Sequence, residues 1–383
     1  MKITQIKAIP LVRSLPEPFL GGTYRITSRN TLVTEVHTDT GIVGQVFGGD
    51  EDKYQQEIAA VIETRLAPLL IGEDPRDVEK HWERMFRADP GLENRGLHTL
   101  DLANKAILMQ AISAVDIALW DVIGKTFSTP VYKLLGGYRA KVPVIGIGGY
   151  YGKGKGDREL IAEMEGYRRD GLAGVKLKVG RADVQEDVRR VRIVREALGD
   201  DFVIACDANQ AWTPEQAIRF ARLAENLNVR WLEEPVQWYD QLRGLRLVRQ
   251  KTAIPVVAGQ GEISRFGCRD LILNEAVDIL NVDVTLSGGI TEWRRIAAMA
   301  GMFHIGMAHH EEPQVAIHLL ASVPHALYVE IFPNPERDPM WFELPLRQPR
   351  IKDGFMEVPQ TPGLGIDLNP EVIRKYVGTA RAV

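Results

Sequence analysis

Short β-branched runs alternate with amphipathic helical text over the second half and more of the chain, and this alternation limits the possible folds more than any other feature. The strand candidates are VPVIGIGG from Val142, GVKLKVG from Gly174, FVIACDANQ from Phe202 and VRWLEEPV from Val229. They continue with IPVVAGQ from Ile254, VDILNVDVT from Val277, HIGMAHH from His304 and ALYVEIF from Ala326. Intervals such as DVQEDVRRVRIVREALG and EQAIRFARLAENLN place apolar residues at i, i+3, i+4 and i+7, the stripe of a surface helix. Eight strands separated by helices argue for a (β/α) barrel. A doubly wound open sheet has the same count of elements and stays open as the alternative. No G-x-G-x-x-G follows the first strand, so dinucleotide binding on such a sheet has no support.

The text before this region has a different grain. Strand-like runs at Met1–Leu11, Thr31–His37 and Gly41–Gly48 precede helical stretches at Tyr54–Leu70, Asp77–Phe86 and from about Leu100 to Gly124. Thr38 to Gly41 suits a hairpin turn. Strands first and helices afterwards describe an α+β unit. With 383 residues the chain has room for a barrel and a smaller companion. The division expected is an α+β cap over 1–130, the barrel over 131–355, and a segment over 356–383 that packs back on the cap. A net charge of −4, with Lys and Arg dispersed, gives no reason to expect nucleic acid or an anionic membrane as partner. No segment reads as a membrane span or a signal peptide, and Cys206 and Cys268 are too few and too far apart for a disulfide framework or a cysteine zinc site. A cytoplasmic location is the expectation.

Ionisable residues gather at the C-terminal ends of the strands, the face where barrel active sites form. Lys176 and Lys178 end the second strand, Asp207 the third, and Glu233 and Glu234 the fourth. Gln260 and Glu262 follow the fifth, Asp283 ends the sixth, His309 and His310 the seventh, and Glu330 the eighth. One acid after one strand is most often a cap or turn residue; the same habit in seven strands is a pattern. Asp207, Glu233 and an oxygen donor from strand five make an all-oxygen set, which selects Mg²⁺ over zinc or copper. An ion there clamps a substrate carboxylate and offsets the charge that grows as its α-proton leaves. Lys176 and Lys178 share a strand face, and the like charge is expected to lower the proton affinity of one, making Lys178 a general base and Lys176 a partner of the carboxylate. His310 comes from across the ring, and Asp283 is placed to hold its imidazole.

These residues resemble the enolase superfamily and its mandelate racemase subgroup. The resemblance is carried by KLK at Lys176–Lys178, DANQAW from Asp207, WLEEPV from Trp231, NVDVT around Asp283, AHH ending at His310, and HLLASVPHALYVE from His318 to Glu330. AVDIALWDVIGK at Ala114–Lys125 is similar to the family's capping domain, so nearly the whole chain is covered. The resemblance implies a modified TIM (β/α)7β barrel with an N-terminal α+β capping domain completed by the C-terminal segment. It implies Mg²⁺ as cofactor, Asp207 and Glu233 as ligands, and Asn209 and Glu234 as groups orienting them. It further implies Lys178 and His310 as bases of opposite faces, Lys176 on the carboxylate, Asp283 behind His310, and Glu330 on the enediolate oxygen; the spacing to His318 picks His310 over His309. The family has Glu directly after the Gly that ends strand five, where this chain has Gln260. Either Gln260 binds through its amide oxygen or Glu262 serves as third carboxylate, and the charged Glu262 is the preferred choice.

The resemblance favours dehydration of a sugar acid, with racemisation, epimerisation or cycloisomerisation of a hydroxy carboxylate as the second reading. A non-catalytic binding barrel, motivated by Gln260, is the third. Tyr24 and Arg25, in the loop PFLGGTYRITS, are expected to reach over the barrel mouth, with Tyr150, Tyr151 and His309 as further contacts to a polyhydroxylated substrate. A homo-oligomer is expected from the resemblance alone.

Overall fold

The structure is a computed structural model and describes residues 1–49, 54–88 and 102–377. Strands β1 (Ile3–Leu20), β2 (Arg25–Thr38) and β3 (Val43–Gly48) form an antiparallel sheet in that order. The β2–β3 turn is the expected one, with Gly41 at φ +81°. The first two strands run further than their apolar text, so Phe19 and Leu20 pair with Ile26 and Arg25, and the stretch read as a mouth loop is a hairpin with its tip at Gly21–Tyr24. A helix over Leu102–Thr126 lies on this sheet. Gly44 permits the contact, since a Cβ there would stand 2.2 Å from the Ala118 carbonyl. Leu100, the start expected for this helix, lies outside the described residues. Its Lys105–Thr126 portion is long and apolar enough to cross a membrane, contrary to the sequence reading, and 89% of its most apolar window is buried inside the fold. That is the setting of a core helix.

Strands β4 (Lys141–Gly148), β5 (Gly174–Lys178), β6 (Val203–Asp207), β7 (Val229–Glu233), β8 (Val256–Ala258), β9 (Ile279–Leu280) and β10 (Gly306–Met307) are parallel neighbours in chain order. The next, β11 (Val329–Ile331), pairs with β4. Just before β11, Ala326 bridges Met307, with Leu327 N–H donating to the Met307 carbonyl at 2.9 Å. The ring of eight therefore closes, and the open-sheet alternative falls away. Intervening helices begin where the sequence supplies caps: Asp183 accepts from Gln185 N at 2.8 Å, and Thr213 and Gln216 bond reciprocally.

The two units are joined through buried polar contacts. Asp116, on the long cap helix, accepts from Thr291 N at 2.9 Å and Thr291 Oγ1 at 2.6 Å, capping the barrel helix Gly289–Met302. Trp82 donates to the Gly288 carbonyl at 2.7 Å. Burial pushes the Asp116 carboxyl up to about 7. At the other end, β12 (Ile351–Lys352) and β13 (Phe355–Glu357) form a hairpin on β4. The chain then returns to the cap: Leu364 N–H donates to Asp121 Oδ1 at 2.7 Å, and the helix Pro370–Val377 lies against β1, with Arg13 over the Tyr376 ring. Residues 378–383 of the expected returning segment lie outside the described residues.

Candidate active site

Strand alternation sends Lys176 and Lys178 to the same side of β5, into the barrel, and register sets Lys178 beside Asp207 and Asp207 beside Glu233. The result is a lattice of charge that is fully buried. Lys176 Nζ lies 2.7 Å from Glu233 Oε1, 2.7 Å from Glu330 Oε2 and 3.8 Å from Asp207 Oδ2. Lys178 Nζ lies 2.7 Å from Asp207 Oδ2. Burial works against both ammonium groups, but the carboxylates outweigh it and hold both above the ordinary lysine range. Lys178 does act to lower Lys176, as a like charge should, but the carboxylates outweigh it and the net shift of both amines is upward, so the expected loss of proton affinity is not realised in the protein alone. Burial likewise pushes Asp207 up, and the two ammonium groups bring it below its usual range. Glu330 is driven up to about 7, by burial first, and its Oε1 is buried with no hydrogen-bond partner.

Above this lattice is a cavity of ≈ 510 Å³. Lys178, Asn209, Gln260, Asp283 and His310 line it from the barrel, and Tyr24, Arg25, Thr27, Ser28 and Asn30 from the β1–β2 hairpin. The hairpin tip is seated closely on the strand ends. A Cβ on Gly22 would stand 2.8 Å from the Ala208 carbonyl and 3.1 Å from that of Val179, and Arg181 donates to the Gly21 carbonyl at 3.2 Å. Tyr24 and Tyr150 flank Lys178, their rings each centred 5.8 Å from its Nζ.

Across the cavity His310 Nδ1 is 2.9 Å from Asp283 Oδ2, while Asp283 Oδ1 accepts from Thr285 N and Oγ1 at 2.7 and 2.6 Å. His309 does not reach the cavity. It is buried, accepts from Val284 N at Nε2 (3.1 Å) and donates from Nδ1 to the His310 carbonyl (2.9 Å), so it pins the loop on which His310 sits. His318, further along, is pinned in the same way between Tyr132 N and the Leu364 carbonyl. Tyr151 also faces elsewhere, bonding Asp187 beneath Arg190.

Strand five places Gln260 and Glu262 in different surroundings. Gly259, at φ +126°, starts a turn closed by Glu262 N–H donating to its carbonyl at 3.1 Å. Two-residue alternation ends there. Gln260 is left on the cavity wall, while the Glu262 carboxylate rests against Gly267 in the next helix, where a Cβ would meet it at 1.6 Å. Among the described residues no third acid joins Asp207 and Glu233 in a metal-binding group. The donors present still suit a hard dication: two carboxylates, the Gln260 amide, and Asn209 Oδ1, which is buried with no hydrogen-bond partner. Asn209 also donates to Asp207 from N and Nδ2 at 2.9 and 3.2 Å. Glu234 lies behind, accepting from Gly259 N at 3.0 Å and Gln210 Nε2 at 3.3 Å, with burial pushing it up to about 7.

Sequence reasoning passed over Glu311, Arg29 and Arg337. Glu311 lines the cavity beside His310; Arg29, on β2, bonds Asp338 at 3.0 Å and reaches Glu311 at 3.4 Å; Arg337 is a buried part of the same wall. The acidic pair after His310 was a visible signal, whereas Arg29 sits in cap text that carries no pattern.

A closed barrel with a capping sheet, opposed amine and imidazole, and buried carboxylates below them defines a barrel enzyme whose chemistry sits at the strand ends. Comparison with known proteins gives the family. Residues 159–372 match the family described as Enolase C-terminal domain-like, and residues 11–136 match the Mandelate racemase / muconate lactonizing enzyme, N-terminal domain. An arabinonate dehydratase of Saccharolobus solfataricus is 32% identical over 90% of this chain and 90% of its own. A 3,6-anhydro-alpha-L-galactonate cycloisomerase of Streptomyces coelicolor is 32% identical over 96% of each chain. A mandelate racemase/muconate lactonizing enzyme from a marine actinobacterium, solved in complex with magnesium, superposes with a TM-score of 0.88 at 42% identity, over 98% of this chain and 99% of that one. The chain belongs to the enolase superfamily, in its mandelate racemase subgroup.

Proposed function

We propose that this enzyme removes the α-proton of a sugar acid and expels the β-hydroxyl as water. The observation that carries the reading is the placement of Lys178 and His310 on one polar cavity, above Asp207 and Glu233. Mg²⁺ held by Asp207, Glu233 and the Gln260 amide would counter the charge of the substrate carboxylate and relieve the lysines of the carboxylates that keep them protonated. Lys178 Nζ takes the proton from Cα, and the electron pair left behind forms the Cα–Cβ double bond. The Cβ–O bond breaks, and the leaving oxygen takes the proton of His310 Nε2 and departs as water. The enol that remains tautomerises to a 2-keto-3-deoxy acid. Lys176 and Glu330, paired beneath the cavity, would serve the substrate carboxylate and the enediolate oxygen once the lattice of charge opens to them, and Asp283 steadies the imidazole. Thr27, Ser28, Asn30 and Arg25 supply hydroxyl, amide and guanidinium groups, which suits a polyhydroxylated substrate better than an aryl one.

The test is a screen of mono- and diacid sugars for 2-keto acid formation with Mg²⁺ present. Lys178→Ala and His310→Asn should each lower kcat by about 10²–10⁴-fold with the fold intact by circular dichroism. Full activity in either variant would refute the roles given. Ring opening or closure without loss of water would favour the cycloisomerase reading, which the similarity to the Streptomyces coelicolor enzyme supports. A failure to bind Mg²⁺ at millimolar concentration would favour a non-catalytic barrel.

A further inference from the structure

His310 stands between two carboxylates. Asp283 Oδ2 is 2.9 Å from Nδ1, and Glu311 Oε1 is 3.5 Å from Nε2. The Asp283 contact is a hydrogen bond and the Glu311 contact an ion pair, and only the imidazolium carries the positive charge that both carboxylates face. Glu311 is itself held in place. Its other oxygen lies 3.4 Å from Arg29 NH1, its N–H donates to Glu330 Oε2 at 3.3 Å, and its backbone is left-handed at φ +50°. A non-glycine residue keeps that conformation only where its surroundings enforce it. The titratable and charged groups acting on His310 come from several elements: Asp283 after β9, Lys176 on β5, Glu330 of β11, and Glu311 and His309 on either side of it, with Arg29 of β2 one contact further out. Burial and Lys176 disfavour the cation, but Glu311 first and Asp283 next outweigh them and lift His310 to about 9. Burial pushes Glu311 up too, yet His310, Arg29 and Arg337 bring it down to about 2, so it stays a carboxylate.

We propose that Glu311, braced by Arg29, is a positioning residue that keeps both nitrogens of His310 protonated before substrate arrives. His310 then enters turnover as a proton donor, and Lys178 alone is left to accept. A racemase needs the imidazole neutral for one of its two directions, so this arrangement commits the site to elimination. That consequence rests on the dehydratase reading; the protonation itself belongs to the free protein.

The experiment is ¹⁵N-histidine NMR titration of the full chain without ligand, with His310→Asn used to identify the resonance. In Glu311→Gln the proton affinity of His310 should fall about ten-fold or more. Glu311→Asp, which keeps the charge but withdraws it by one methylene, should recover part of the loss. In turnover, the basic limb of the kcat profile should move to lower pH by the same factor with KM little changed, a change that a merely structural role would not produce. A His310 midpoint within two-fold of wild type in a folded Glu311→Gln protein overturns the proposal. If Glu311→Gln does not fold, an unmoved midpoint in Glu311→Asp overturns it equally. A shifted midpoint in a protein that dehydrates no acid sugar sustains the role of Glu311 and sinks the dehydratase reading instead.

Discussion

At the scale of single residues, what the sequence revealed depended on whether a strand ran straight. Lys176 and Lys178 were legible as a pair because β5 keeps its alternation to the last residue. Gln260 and Glu262 have the same spacing, but the turn at Gly259 intervenes, and the Glu262 carboxylate packs against Gly267 of the next helix while Gln260 lines the cavity. A prediction follows. Gln260→Glu should tighten Mg²⁺ binding on the order of ten-fold, because affinity at such sites rises with the number of charged oxygens. Glu262→Gln should leave it unchanged; calorimetric titration of both variants checks the assignment. His309 was indistinguishable from His310 by residue type, and only backbone contacts remote in sequence separate a pinned imidazole from one facing a cavity.

At the scale of elements, the barrel strands were legible because each pairs a β-branched run with an ionisable end. The β1–β2 hairpin was not, because its tip is held by shape: Gly22 lies against two carbonyls of the barrel rather than in any periodic pattern. Gly22→Ala should therefore act on binding more than on stability. The added methyl must lift the tip off Ala208 and Val179, carrying Tyr24 and Arg25 away from the cavity. KM should rise about ten- to a hundred-fold with a melting temperature close to wild type. A KM unaltered by this substitution would mean that the hairpin does not help to seat the substrate.

For the whole molecule, cap and barrel behave as one body only while their buried contacts hold. Asp116→Ala strands Thr291 N–H and Oγ1 in the interface and should destabilise the protein by about 2–4 kcal/mol, read from chemical denaturation. The pH dependence has a definite sign. Because the folded carboxyl is raised to about 7 from an ordinary 3.8, its protonated form contributes stability that is full at low pH and is lost as pH rises through 7. The advantage of wild type over Asp116→Asn should shrink over that interval and then level off, as melting curves at several pH values would show. The barrel wall itself is uneven. From β4 to β7 the strands run five residues or more, whereas β9 and β10 have two each and the seam at Ala326 is a lone bridge. The amine is thus mounted on the stiff side of the ring and the imidazole on the yielding side. Under mild denaturant, amide protons at 204–207 should outlast those at 306–307, so the mount of the imidazole would give way while that of the amine still held.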